Sequence, residues 1–224
     1  QIHALGEIGI EFPREDERLY PQRELAAHVL GYVDADGDGV MGMERALNER
    51  LVAPNLRGTP AILSIDSRAQ AALESELQDA MLMTEARGAA GIILDVETGE
   101  VMALASLPLF DPNKIRRATM KHQNNEVTQS VFELGSTFKP LTIAAALDAG
   151  TVTDLAVRYN AMEPIKIGGF TIKDDHSQGR YLNVPETLVH SSNIVTARIA
   201  DNLGQKAMEE MFRRLGFDER PHIE

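Results

Sequence analysis

Val131-Phe132-Glu133-Leu134-Gly135-Ser136-Thr137-Phe138-Lys139-Pro140 is the stretch on which the reading of this chain turns. The apolar run Leu141 to Leu147 follows it and stops at Ala149-Gly150, so a helix is expected to begin at Ser136. Pro140 is tolerated there because the first turn has no use for its missing N–H. In such a helix Ser136 and Lys139 stand at i and i+3 on one face, about 5–6 Å apart at Cβ. A serine hydroxyl is a poor nucleophile alone and needs a base within hydrogen-bond reach. A lysine supplies one where burial or nearby positive charge favours its neutral form. The helix start adds unpaired N–H groups and a positive dipole end, so the Ser136 N–H can serve as an oxyanion donor. Serine followed three residues later by lysine is common by chance. This pair stands at a strand–loop–helix junction, where a nucleophile is expected.

A second element, Ser191-Ser192-Asn193, lies 55 residues after Ser136 at a break between two helical stretches. Ser191 can relay a proton between Lys139 and a leaving amine. Asn193 can hold the Lys139 side chain and a substrate amide, because an amide both donates and accepts. Taken alone, Ser-Ser-Asn reads as a helix cap and loop.

Around these motifs the chain falls into two parts. Residues 1 to about 59 are polar and turn-rich. Residues 6–12 alternate like a strand, Glu24 to Leu30 suit a short helix, and Asp34 to Gly39 form a loop. Leu56 to Pro60 is the expected boundary. Ala61 to Ile65 then reads as a strand, and Asp66 or Ser67 caps a helix with a stripe at Ala71, Leu73, Leu77, Ala80, Met81 and Ala86. Two apolar runs, 90–96 and 101–107, joined by Glu97-Thr98-Gly99-Glu100, predict a β-hairpin. A long loop over 108–130 leads to the nucleophile stretch. Beyond it come loops and short strands over 151–180, a helical segment from Pro185, a helix over Ile194 to Leu203, and a last one over Lys206 to Leu215 stopped by Gly216.

Bulk composition sets limits on function. The 224 residues are 43% hydrophobic and 25% charged, ordinary for a folded protein of one domain and a part, or two small ones. The net charge of -12 argues against a broad nucleic-acid surface. Arg116-Arg117 and Arg213-Arg214 read as solvated pairs. No cysteine is present, which removes disulfides, thiol nucleophiles and cysteine metal sites. No stretch reaches the roughly 18–20 apolar residues of a membrane helix. The first residue is Gln1 rather than Met, so the natural start, with any leader or anchor, is expected upstream.

Together the two motifs resemble those of the serine D,D-transpeptidases called penicillin-binding proteins, where S-x-x-K is followed by S-x-N. The likeness extends well beyond them. Val131 to Pro140 looks like the nucleophile segment of the class B enzymes, and His190-Ser191-Ser192-Asn193-Ile194 like their second motif. Ile65 to Gln70 and Asp95 to Ser106 resemble the start of their transpeptidase domain. Tyr20-Pro21 with Ala26 to Val33 resembles their upstream pedestal, in the manner of the septal, cell-division enzymes.

The resemblance implies an α+β fold: helices around an antiparallel sheet, partly supplied, with 1–59 a partial pedestal and 60–224 the N-terminal part of the transpeptidase domain. It implies a peptidoglycan transpeptidase with Ser136, Lys139, Ser191 and Asn193 as catalytic residues and neither metal nor cofactor. The implied partners are stem peptides, β-lactams and other cell-division membrane proteins, not nucleic acid. The implied location is the periplasmic side of a bacterial inner membrane. A β-lactamase or β-lactam sensor of the same fold, or a non-catalytic division scaffold, are the competing readings.

Two departures stand out. The family's third motif, K-[ST]-G, is absent from the 224 residues, so this polypeptide by itself is expected to be incomplete for catalysis. The connection at Leu56 to Pro60 is also shorter than the family's. Other features carry plainer readings. Asp34, Asp36, Asp38 and Gly39 resemble the start of a calcium loop, but its twelfth position is Arg45 where Glu is needed. Asp174-Asp175-His176 reads as a loop near the site's rim. His28 and His190 read as packed core histidines, and Met41, Met43, Met81 and Met83 as gap-fillers.

Overall fold

The computed structural model describes residues 18–117 and 120–220, leaving aside the side chains of residues 116, 117, 120 and 121. The strand expected over 6–12 lies outside the described residues. The chain forms two compact units, one running to Val131 and the other from Phe132 to His222. The expected domain boundary near residue 59 falls inside the first unit.

The first unit opens with α1 (Ala27–Leu30) and the antiparallel pair β1 (Tyr32–Val33) and β2 (Gly39–Met41), followed by α2 (Gly42–Ala46) and α3 (Asn48–Val52). The Asp34 loop joins the two strands. The Asp34 carboxylate accepts the N–H groups of Asp36 at 2.9 Å and Asp38 at 3.0 Å, so it is used in turn formation. Gly31 is required where α1 meets β1. Its φ is +77°, and a Cβ there would lie 1.8 Å from the Met41 carbonyl oxygen.

Asp66 caps α4 (Ser67–Thr84), accepting from the Arg68 and Ala69 N–H groups at 2.8 and 3.3 Å. The hairpin β3 (Ala89–Leu94) and β4 (Val101–Leu107) forms as expected, with Ile92 opposite Leu104. Ala103 to Leu107 are all buried because α4, α1 and the later turn α6 pack against β4. The long loop after it is not featureless. It holds a 3-10 turn at Pro112–Arg117, α5 (Met120–Gln123) and α6 (Glu126–Gln129).

Three expectations in this unit need correction. Residues 61–65 form no strand. They run irregularly, with a bend at Ser64, beside β4, held by Ser64 Oγ to the Val101 carbonyl at 2.7 Å and by the Asp66 N–H to the Met102 carbonyl at 2.9 Å. In α4 the half-buried residues include Leu73, Leu77, Ala80 and Met81, but Ala71 is exposed, Ala86 lies exposed beyond the helix end, and the buried positions are Gln70 and Glu74. Polar side chains take the centre of the face because they complete backbone hydrogen bonding. The Gln70 amide donates to the Leu104 carbonyl at 2.8 Å and accepts the Leu104 N–H at 2.9 Å, as a neighbouring strand would. Glu74 Oε1 accepts the Ala26 N–H at 2.8 Å and a Gln70 N–H at 2.7 Å, and burial pushes its carboxyl pKa up. Met83 is exposed rather than a gap-filler. His28 is buried as expected, its Nε2 2.8 Å from the His122 carbonyl oxygen and its ring edge-on to Phe110 at 5.0 Å.

The second unit carries α7 (Lys139–Asp148), the pairs β5 (Tyr159–Asn160) with β8 (Tyr181–Leu182) and β6 (Ile165–Ile167) with β7 (Phe170–Ile172), then α8 (Val184–Val189), α9 (Asn193–Leu203) and α10 (Gln205–Arg214). Its core is Ile143, Ala146, Val152, Ala161, Leu182, Val184, Val195 and Ile199. Each fully buried Val, Leu or Ile contributes about 1.5–3 kcal/mol relative to exposure. That core presses α7 against α9 and so fixes the helix that carries Lys139. Asn183 and Glu186 form a reciprocal capping box at the start of α8, with Pro185 inside the first turn. His190 is exposed at the end of α8, near Arg180, and is not a core histidine. Among the described residues the strands make four separate two-stranded antiparallel pairs, in keeping with an α+β chain.

Candidate active site

The nucleophile stretch enters α7 through a 3-10 turn, Gly135–Phe138, rather than through an α-helix from Ser136. The difference matters for geometry. A 3-10 turn brings residues i and i+3 into line, so Ser136 and Lys139 stand closer to eclipsed than an α-helix would set them. Gly135 opens the turn with φ +55°, a conformation that favours glycine. Ser136 is exposed, while Lys139 is only 8% exposed.

The second motif arrives between α8 and α9. Ser191 has φ +53°, unusual for a residue with a Cβ. Strain of this kind persists only where surrounding contacts hold it. Here the twist brings both oxygens of Ser191 to Lys139: Nζ lies 2.6 Å from the Ser191 carbonyl oxygen and 2.8 Å from Ser191 Oγ. Lys139 Nζ lies 3.0 Å from Ser136 Oγ, and Ser191 Oγ lies 2.9 Å from Ser136 Oγ. Two hydroxyls and one amine therefore close a triangle.

Proton counting shows what the triangle can do. A neutral Lys139 has two N–H groups and one lone pair. The N–H groups go to the Ser191 carbonyl and Ser191 Oγ, the lone pair accepts the Ser136 hydroxyl, and the Ser191 hydroxyl donates to Ser136 Oγ. Every donor then has an acceptor. A protonated Lys139 spends its third N–H on Ser136 Oγ and leaves no acceptor for the serine proton. Burial lowers the Lys139 pKa, towards the neutral form, while the charges of Asp174 and Asp175 oppose it.

Asn193, the third expected residue of this motif, begins α9, and its amide donates to the Lys173 carbonyl at 3.0 Å. The expected hold of Asn193 on Lys139 is taken over by Ser191. Asn193 instead ties the 173–175 loop to the motif. Asp174 does the same from the other side, accepting the Ser192 hydroxyl at 2.8 Å and the Ile194 N–H at 2.9 Å. Ser192 is buried and caps α9 through the Val195 N–H. A carboxylate at this helix start satisfies an orphan donor and suits the dipole. From the sequence, Asp174 is expected only in a loop near the site's rim. Its partners lie 18 and 20 residues ahead, and no local pattern marks that pairing.

Asp174→Asn is expected to lower the Lys139 pKa further, since it removes a charge that holds the ammonium, and to weaken the start of α9. An NMR titration of 13C-labelled lysine reads the first effect. An unmoved Lys139 titration would take Asp174 out of the electrostatics.

Among the described residues no group of three or more His, Cys, Asp or Glu is placed to hold a metal, and no helix is long and apolar enough to cross a membrane.

The description "Penicillin binding protein transpeptidase domain" belongs to the family profile that matches residues 89–224. The chain is 42% identical over its whole length to the probable peptidoglycan D,D-transpeptidase FtsI of Caulobacter vibrioides, covering 38% of that protein. It is 30% identical over 99% of its length to the peptidoglycan D,D-transpeptidase FtsI of Escherichia coli K12, covering 41% of it. The chain thus spans about two fifths of the length of the curated relatives it matches. In structure it is similar to the apo form of penicillin binding protein 3 from Mycobacterium tuberculosis, with TM-score 0.79, 28% identity, and 91% of this chain and 47% of that one covered. The aztreonam complex of that protein matches with TM-score 0.78.

Proposed function

The chain belongs to the penicillin-binding-protein transpeptidase family, and from that premise we propose that it serves a peptidoglycan D,D-transpeptidase of septal cell-wall synthesis, working through a serine acyl-enzyme. The observation that carries this reading is the triangle of Ser136 Oγ, Lys139 Nζ and Ser191 Oγ, closed by contacts of 3.0, 2.8 and 2.9 Å.

In the first half-reaction Ser136 Oγ attacks the penultimate D-Ala carbonyl of a stem peptide as its proton passes to Lys139 Nζ. The oxyanion forms beside the Ser136 N–H. Ser191 Oγ then passes a proton to the departing amine, the peptide bond breaks, and terminal D-Ala leaves. In the second half an amine from a neighbouring stem attacks the ester, its proton returns through the same groups, and Ser136 is released. A β-lactam enters as the acyl donor of the first half, its ring amide opening on Ser136. Asn193 faces the substrate amide on this reading. Residues 60–224 act as the N-terminal part of the transpeptidase domain and 1–59 as part of a pedestal. The protein works on the periplasmic side of the inner membrane, among other division proteins. The K-[ST]-G strand, which these 224 residues lack, supplies carboxylate binding and the other oxyanion donor, so this polypeptide by itself is inactive.

The test is peptide mapping by mass spectrometry after the full-length protein meets a penicillin. One stable adduct on Ser136 is expected. An adduct elsewhere, or none, overturns the proposal, and rapid loss of the adduct with penicillin hydrolysis would mark a hydrolase instead.

A further inference from the structure

Residues 131–137 are all exposed, and the first side chains of the nucleophile stretch to be covered are Phe138, half-buried, and Lys139, buried. Lys139 is engaged by the two serines. The place of the turn against the rest of the unit therefore depends on Phe138. Its ring lies 5.6 Å from Phe212 and 5.3 Å from Phe217, and those two rings lie 5.7 Å apart. All three separations fall in the attractive range for aromatic pairs, and all three pairs are tilted or edge-on.

Phe212 and Phe217 are themselves held by backbone geometry. Past the end of α10 and its cap residue Leu215 stands Gly216, with φ +75°. The Phe217 N–H donates to the Phe212 carbonyl at 2.9 Å, and the Gly216 N–H to the Arg213 carbonyl at 3.0 Å. This is the paired 6→1 and 5→2 closure of a left-handed helix cap, in which the residue after the glycine folds back on the last turn. The cap sets the two rings as a claw that receives Phe138. Arg214 pairs with Asp148 and ties the far end of α7 to the same turn. None of the three rings belongs to the unit's buried core, and Phe217 is 50% exposed. The claw is thus better placed to locate the turn than to supply bulk stability.

We infer that Phe212 and Phe217, on the C-terminal cap of α10, are positioning residues for the nucleophile: by gripping Phe138 they hold Ser136 Oγ at its distance from Lys139 Nζ and Ser191 Oγ. The inference rests on the reading of Ser136 as nucleophile. Phe138 lies between Ser136 and Lys139 in the same 3-10 turn, so a shift of its ring carries Ser136 with it while the core keeps α7 in place.

The test uses full-length protein carrying Phe217→Ala, Phe212→Leu or Phe217→Tyr. Stopped-flow labelling with a fluorescent penicillin separates non-covalent binding from the acylation rate constant, and hydrogen exchange follows the amides of 135–139. Phe217→Ala and Phe212→Leu are expected to slow acylation about ten- to a hundred-fold, as a small misplacement of a reacting atom does. Non-covalent binding should stay at its wild-type value, and exchange over 135–139 should quicken. Phe217→Tyr, which keeps the ring, should restore the wild-type rate. Wild-type acylation and exchange in Phe217→Ala, or weakened binding with an unchanged rate constant, would overturn the inference. Should the wild-type protein take no label, the functional reading fails, and the exchange measurement alone decides the claw: unchanged exchange in Phe217→Ala rejects it.

Discussion

Lys139→Met is expected to slow acylation of Ser136 by a penicillin about 10²–10⁴-fold, the usual contribution of a positioned general base. Methionine keeps an unbranched side chain along the buried path of the lysine stem, so α7 should stay packed against α9. What disappears is the lone pair that accepts the Ser136 proton, 3.0 Å away. The pH profile gives an independent check. The neutral amine is the working form, so the wild-type rate should rise with pH through the Lys139 pKa and level off above it. Burial places that pKa below the ordinary lysine value, with Asp174 and Asp175 limiting the fall. The rising limb should therefore lie below the range of a free lysine and vanish in Lys139→Met. A variant that acylates at the wild-type rate would remove Lys139 from the chemistry.

Ser191→Ala should slow the same step by about 10²–10³-fold, within the range of a lost proton relay. Its signature differs from that of the lysine variant. The Lys139 contact to the Ser191 carbonyl, at 2.6 Å, is to backbone and survives the substitution. The pH limb belonging to Lys139 should then remain, at a lower overall rate. The lost hydroxyl accepts from Lys139 and donates to Ser136 Oγ, so its absence opens the triangle at two sides. Rates from stopped-flow acylation across pH distinguish the two variants. A Ser191→Ala profile that matches wild type in height would place the relay elsewhere.

Much of this protein is legible where neighbours in sequence decide the outcome. The Ser136–Lys139 spacing, the β3–β4 hairpin, the cap at Asp66 and the stop at Gly216 follow from local rules of helix, turn and strand. The face of α4 is a different case, because its centre is polar. Gln70 and Glu74 are buried to complete the hydrogen bonding of Leu104 and Ala26, 34 and 48 residues away, which an apolar count passes over. His190 departs from the sequence expectation for a related reason. Its apolar neighbours in sequence favour burial, but it sits past the last turn of α8, beside Arg180 on the surface.

The sequence by itself determined the candidate nucleophile, through residue types at a short, fixed spacing, and the resemblance its motifs carry to a known family, which implies the α+β class. Only the tertiary structure decided how the second motif is used. It twists Ser191 to a positive φ, turns Asn193 to the Lys173 carbonyl, sets Asp174 across the start of α9 and closes the three Phe rings beneath the Ser136 turn. Those contacts join residues far apart along the chain. Their energies depend on distance and burial in the packed unit, which no local pattern encodes.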